Sequence, residues 1–307
     1  MRQNCGGPAL PLYGHITALA ADPIEKKPLY HFRPGSSILS IGFVGCNLHC
    51  PFCQNWHISQ RLDADYRELA PEAVIAAARK GGFRQIAYTY SEPLVHAEYL
   101  LDCMARSRKA GIANVLVSNG CVNAAAATDI LALTDAANID LKCFSEATYS
   151  RILGGDLKTV LAFIRSAHAA GVHLEVTTLI VPALNDGEEE MEAAGEFIAG
   201  VAEDIPWHLS AYHPDYQWDA PPTDPVRLRE IARRARRKLR YVYTGNIRAV
   251  PGEEGTGDQD THCPECGAVL VGRRGYQITT GGLELFERDG AQIYRCRHCG
   301  KPAPVRW

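Results

Sequence analysis

The chain of 307 residues has no apolar run of the length a membrane helix needs. No signal-peptide pattern opens it. A cytoplasmic protein without a membrane partner is expected. Charge of either sign is not in excess: 32 basic and 35 acidic residues give a formal net charge of −3. Such a balance draws neither nucleic acid nor an anionic lipid surface. A Gly-rich loop of the P-loop type is missing, as is any Ser, His and Asp arrangement of diagnostic spacing. Hydrophobic residues make up 46% and charged residues 22%, ordinary for a globular protein. Cysteine is what the chain has in plenty: eleven, seven of them in two tight clusters. Thiols grouped in this way point to metal rather than to a disulfide framework.

The first cluster is Cys46, Cys50 and Cys53, in C-x3-C-x2-C spacing after the apolar run Ser37–Phe43. Thiolates hold soft, redox-active metals and iron–sulfur clusters. A cubane cluster has four irons, and this loop supplies three thiolates. One iron stays open unless a distant cysteine reaches it, and an open metal position is a place for substrate. Phe52, beside the last cysteine, shields such a cluster from water. The plain alternative is a zinc knuckle or buried free thiols. The second cluster pairs Cys263 and Cys266 with Cys296 and Cys299, two C-x2-C knuckles each near a turn-forming Gly. That pattern makes a structural site, a zinc ribbon or a rubredoxin-like iron centre. A region this small needs a metal to fold.

Between the clusters, strand and helix patterns alternate. Strands are expected at Ser37–Phe43, 84–90, 113–117, 137–141, 172–181 and 207–212, with a seventh at 241–244. Helices are expected at Pro71–Lys80, 93–110, 123–133, 157–170, 187–199 and 225–239. Repeated strand–helix units imply a parallel sheet with right-handed crossovers, either a doubly wound sheet or a full or partial (β/α) barrel. Residues 1–36 read as a lead-in without clear periodicity, 37–249 as the α/β domain, 250–261 as a Gly- and Glu-rich linker, and 262–307 as the four-cysteine domain.

Polar motifs fall at the C-terminal ends of successive strands, where both architectures place ligands. They are Tyr88-Thr89-Tyr90-Ser91-Glu92, Ser118-Asn119-Gly120, Asp140-Leu141-Lys142, Asn185-Asp186 and Tyr212-His213. Glu92 suits an ammonium ligand, and Ser118 and Asn119 suit ribose hydroxyls. The Asn185-Asp186-Gly187 turn reads as a helix cap. Tyr88, Tyr90, Tyr212 and Tyr216 are candidates to line a substrate space. Cys103 reads as core, and Cys5, Cys121 and Cys143 as free thiols. The arginines of the last helix, opposite a stripe of Leu228, Ile231, Ala235 and Leu239, form a solvated face or a docking face for an acidic partner.

The cysteine loop together with its context, Pro23 to Phe32 and Cys46 to Trp56, resembles the radical SAM enzymes. The similarity runs to the radical SAM enzyme of the AmmeMemoRadiSam system, a relative of the pyruvate formate-lyase activating enzymes. The resemblance implies a partial (β/α)6-type barrel with a wide mouth, and a [4Fe–4S] cluster on Cys46, Cys50 and Cys53. It implies S-adenosylmethionine, with Glu92 on its amino group and Ser118, Asn119, Asp140, Lys142 and His213 lining its site. Reductive cleavage would give a 5′-deoxyadenosyl radical that takes hydrogen from a substrate. An electron donor such as flavodoxin or ferredoxin and AmmeMemoRadiSam proteins are the implied partners. Val117 stands where the activating enzymes carry an Asp of a cation site, so that cation does not transfer. Against its relatives the chain looks shortened at the start. Two other readings stand beside this one: an activase for a glycyl radical enzyme, and a non-catalytic iron–sulfur carrier or metal scaffold, which would need a fourth protein ligand.

Overall fold

The computed structural model describes residues 3–4, 8–9, 12–247, 258–288 and 291–307. Cys5 and most of the linker lie outside them. Strands β1 (His15–Pro23), β2 (Ser37–Phe43), β3 (Gln85–Thr89), β4 (Ala113–Ser118), β5 (Ala136–Asp140), β6 (His173–Ile180), β7 (Trp207–Ala211) and β8 (Val242–Gly245) form one sheet in the order of the chain. β2 to β8 are parallel, and β1 is antiparallel to β2. A doubly wound sheet reverses its strand order at a switch point. From β1 to β8 this order never reverses, and only the two-residue strand Arg67–Glu68 lies beyond β1, so the sheet curls one way into a partial barrel.

Helices α1 (Pro71–Lys80), α2 (Ala97–Lys109), α3 (Ala124–Leu131), α4 (Leu157–Ala169), α5 (Glu188–Val201) and α6 (Pro225–Ala235) are the crossovers. Their ends follow local chemistry. Pro71 and Pro225 sit in the first turn, where no N–H is needed. Asn123, Asp156 and Asp224 accept bonds from the first free amides. The expected helix over 93–110 divides into a tight turn, Pro93–His96, and α2. One large core lies between sheet and helices, with Trp207 fully buried in it. A second core fills the barrel's lower end: Ile24, Leu29 and Phe32 pack on Ile38, Ala87, Val115 and Ala136. The small side chains on β3, β4 and β5 leave room for that plug.

The lead-in therefore carries a nine-residue strand that its aperiodic sequence does not announce. Alanines there give little β-propensity, and pairing with β2 supplies what propensity lacks. Most of the basic residues on and just after α6 are engaged within the chain. Arg227 and Arg234 pair with Glu188 and Glu230, Arg236 with Asp258, and Lys238 with Glu196. A solvated, internally paired face fits this pattern better than a docking stripe.

The C-terminal segment is a small antiparallel module of β9 (Val269–Arg274), β10 (Gln277–Thr279), β11 (Leu283–Arg288) and β12 (Ala291–Cys296). Its core holds Cys263, Leu270, Val271, Leu283, Cys296 and Val305.

Candidate active site

The loop after β2 opens with Gly45 at a φ of +86°, a turn that a side chain would strain. It brings Cys46, Cys50 and Cys53 to the C-terminal end of the sheet, where all three line a cavity of about 760 Å³. Around them stand Glu92, Asn119, Asp140 and Lys142, which follow three successive strands, with Asp140 and Lys142 both at the end of β5. Ser118 does not line this cavity. Its hydroxyl donates to Glu92 (2.7 Å) and accepts from Gly120 N (3.0 Å). His213 is exposed, its Nδ1 3.5 Å from the amide of Gln54, and also lies off the lining. Val117, which stands where the activating enzymes carry an Asp, does line it.

Glu92 is buried, and three donors hold its carboxylate: Leu94 N (2.9 Å), Ser118 Oγ (2.7 Å) and Asn119 N (2.8 Å). Burial pushes its carboxyl up to about 7 against the pull of those bonds. An ammonium bound beside it would recover the cost of that buried charge. Asp140 and Lys142 pair at 2.8 Å. Burial works against the Lys142 charge, but Asp140 and the neighbouring thiols raise its pKa on balance. Burial likewise raises the thiols of Cys46 and, to about 11, of Cys50. Such thiols become thiolates when metal takes the place of the proton.

The chemistry of the two cysteine sets differs. The sulfurs of Cys263, Cys266, Cys296 and Cys299 all lie within 4.8 Å of one another. Cys263 is 3.6 Å from Cys299, and Cys266 is 3.7 Å from Cys296. A tetrahedron with metal–sulfur bonds of about 2.3 Å has edges of about 3.8 Å, so these thiols are already set for one ion. Gly267 and Gly300, both at a φ of +73°, close the two knuckles in the same way. Among the described residues no other set of three or more such groups converges like this. Cys46, Cys50 and Cys53 do not converge in that way. A polynuclear cluster, with one thiolate to each iron, fits them. Cys103, Cys121 and Cys143 form no disulfide and do not line the cavity; among the described residues the cysteines of the lining are Cys46, Cys50 and Cys53.

Asn185 does not cap α5. It is fully buried, accepts from Val181 N (2.7 Å) and donates to Lys142 O (2.6 Å) and Leu179 O (2.8 Å). The cap residue of α5 is Gly187, without a side-chain bond. Asn185 thus braces the loop that carries Lys142. Of the four tyrosines, Tyr90 alone lines the cavity. Its φ is +69°, and its hydroxyl donates to Asp22, which also pairs with Lys27 at 2.8 Å. Tyr88 is core, bonded to Asn114, Tyr212 bonds Trp218 O, and Tyr216 stacks on Trp56.

Sequence motifs missed the cavity's other end. There Glu25, Lys27, Tyr30, Thr177, His208 and Thr244 line it. Behind them Glu175, fully buried, takes four bonds. Oε1 accepts from His31 N (2.8 Å) and His173 Nε2 (2.9 Å), and Oε2 from Tyr30 N (3.0 Å) and His208 Nε2 (2.6 Å). His208, its Nε2 committed to Glu175, is also part of the cavity lining. A charged residue inside a strand that is otherwise buried was the available signal.

The sequence profile of the Radical SAM superfamily matches residues 40–198. A Methanocaldococcus jannaschii protein named Uncharacterized protein MJ0808 is 36% identical, over 99% of this chain and 89% of its own length. The pyruvate formate-lyase 1-activating enzyme of Escherichia coli is 24% identical over 59% of this chain and 75% of its own length. Among solved structures, Streptococcus suis SuiB bound to S-adenosylmethionine superposes with a TM-score of 0.54 at 14% identity, over 69% of this chain and 52% of SuiB. A radical SAM methyltransferase from Sphaerobacter thermophilus gives 0.51 at 14% identity, over 69% of this chain and 67% of that one. The sequential parallel sheet, the cysteine triad at its C-terminal end and these similarities agree: the chain belongs to the radical SAM superfamily and is related to the pyruvate formate-lyase activating enzymes.

Proposed function

We propose that Cys46, Cys50 and Cys53 hold a [4Fe–4S] cluster, and that S-adenosylmethionine binds beside it across Glu92, Asn119, Asp140 and Lys142. The observation that carries this is the shared cavity: three thiols, with no fourth in the lining among the described residues, beside a buried carboxylate and a Lys–Asp pair. When bound, the pair would supply reductive cleavage of the sulfonium to a 5′-deoxyadenosyl radical, which takes a hydrogen atom from substrate. The chain's own residues do the rest. Glu92 accepts the ammonium, Asn119 and Asp140 meet ribose hydroxyls, and Phe52, buried beside the triad, keeps water away. Enclosure fixes one C–H bond near the reacting carbon and prevents quenching elsewhere.

The AmmeMemoRadiSam enzymes are the branch whose motifs this chain shares, and an electron donor such as flavodoxin or ferredoxin would supply the electron. An activase acting on a protein glycine is the second reading, favoured by the similarity to the E. coli activating enzyme. The C-terminal quartet takes Zn²⁺, with rubredoxin-type iron as the alternative. The binding test is Glu92→Ala. It removes one charged partner, so S-adenosylmethionine affinity falls by about 1.5–3 kcal/mol, roughly ten- to hundredfold, while iron content holds. Wild-type affinity in that variant would reject the assignment.

A further inference from the structure

The barrel is not closed by its own strands. Among the described residues, β8 pairs only with β7, and at the other edge β1 pairs outward only with Arg67–Glu68. The open side is filled from two directions. Glu25, Lys27 and Tyr30 come from the segment after β1, Gln259 from the end of the linker, and Gly275 and Tyr276 from the four-cysteine module. The joint between them is Arg273 on β9, 2% exposed. Its guanidinium donates to Tyr30 O (2.6 Å), Gln259 O (2.9 Å) and Thr261 Oγ1 (2.8 Å), and lies 4.0 Å from the centre of the Tyr30 ring. Thr261 Oγ1 is 3.0 Å from the Tyr243 hydroxyl on β8, which is 2.6 Å from His31 Nε2. Arg306 N donates to His31 O (2.8 Å), and Arg33 N to Arg306 O (2.7 Å).

The module is poorly equipped to stand without metal. Two of the six buried apolar residues in its core are the ligands Cys263 and Cys296. In a unit this small, metal binding is folding energy.

We infer that the four-cysteine centre is a wall of the reaction cavity rather than an appended tag: its metal holds β9 so that Arg273 positions Tyr30 and Tyr276 closes the side left open between β8 and β1. Arg273 is a positioning residue in this account. The inference rests on the proposed function for the word reaction, but its test does not use cluster, cofactor or turnover.

The test is hydrogen–deuterium exchange of the full-length, zinc-loaded chain against Cys266→Ser/Cys299→Ser. Exchange should rise about tenfold or more in residues 24–33 and 242–246, with α2 unchanged. Arg273→Met, with zinc content confirmed at wild-type level, should reproduce the effect in residues 24–33. Arg273→Lys should rescue only part of it, because an ammonium lacks the fork that reaches three acceptors. Acceleration confined to residues 258–307 would overturn the inference, as would an Arg273→Met protein that exchanges like wild type. Absence of radical chemistry in an otherwise protected cavity would instead count against the proposed function alone.

Discussion

Glu175 offers the sharpest test of how the barrel interior is held. Each carboxylate oxygen takes one backbone N–H and one histidine N–H. Glu175→Gln therefore meets a conflict in either orientation. A histidine can change tautomer and accept from the new amide, but the backbone N–H of Tyr30 or of His31 cannot. One charged hydrogen bond is lost, worth about 1.5–3 kcal/mol, and a buried donor is left unpaired at about 1–3 kcal/mol. The expected loss is about 3–5 kcal/mol, a large share of the roughly 5–15 kcal/mol that holds a typical domain. Urea denaturation at constant zinc, followed through buried Trp207, measures it. Burial alone would raise the Glu175 pKa, but the bonds from His173 and His208 hold it well below 4.5. Its contribution is then fully present above about pH 4.5 and is lost as pH falls through the lowered value. The gap between wild type and variant should be flat at neutral pH. A loss under about 1 kcal/mol would refute the account of Glu175 as the hub.

Cys46→Ala, Cys50→Ala and Cys53→Ala should each abolish the cubane cluster and leave one zinc on the C-terminal quartet, as read by Mössbauer spectroscopy and metal analysis; a cubane surviving in the triple variant contradicts the ligand set. Asn185→Ala strips three buried bonds from the loop that carries Lys142, and should cost about 2–4 kcal/mol in the same urea assay.

The α/β alternation was legible because each strand is a short apolar run and each helix begins or ends on Pro, Asn, Asp or Gly. The cysteine loop was legible because its ligands are adjacent in sequence. That Glu92, Asn119, Asp140 and Lys142 share the cavity with that loop was legible for a similar reason: each closes a strand, and the ends of parallel strands meet. What stayed hidden was long-range. β1 forms only because β2 offers it an edge. His208 and Glu175 sit inside strands, where a polar residue carries no motif, and apart from His173 the partners of Glu175 are 33 residues or more away. Arg273 reaches Tyr30 across 243 residues. The Asn185 turn has the composition of a helix cap, and burial turned it to a different use.

The central claim is that this cavity cleaves S-adenosylmethionine. The direct measurement is anaerobic incubation of reconstituted, reduced enzyme with S-adenosylmethionine, followed by chromatography of the products. The account predicts 5′-deoxyadenosine and methionine in equal amounts, formed slowly without substrate and not at all by Cys50→Ala. Fully loaded, reduced enzyme that forms no 5′-deoxyadenosine under any condition would contradict it.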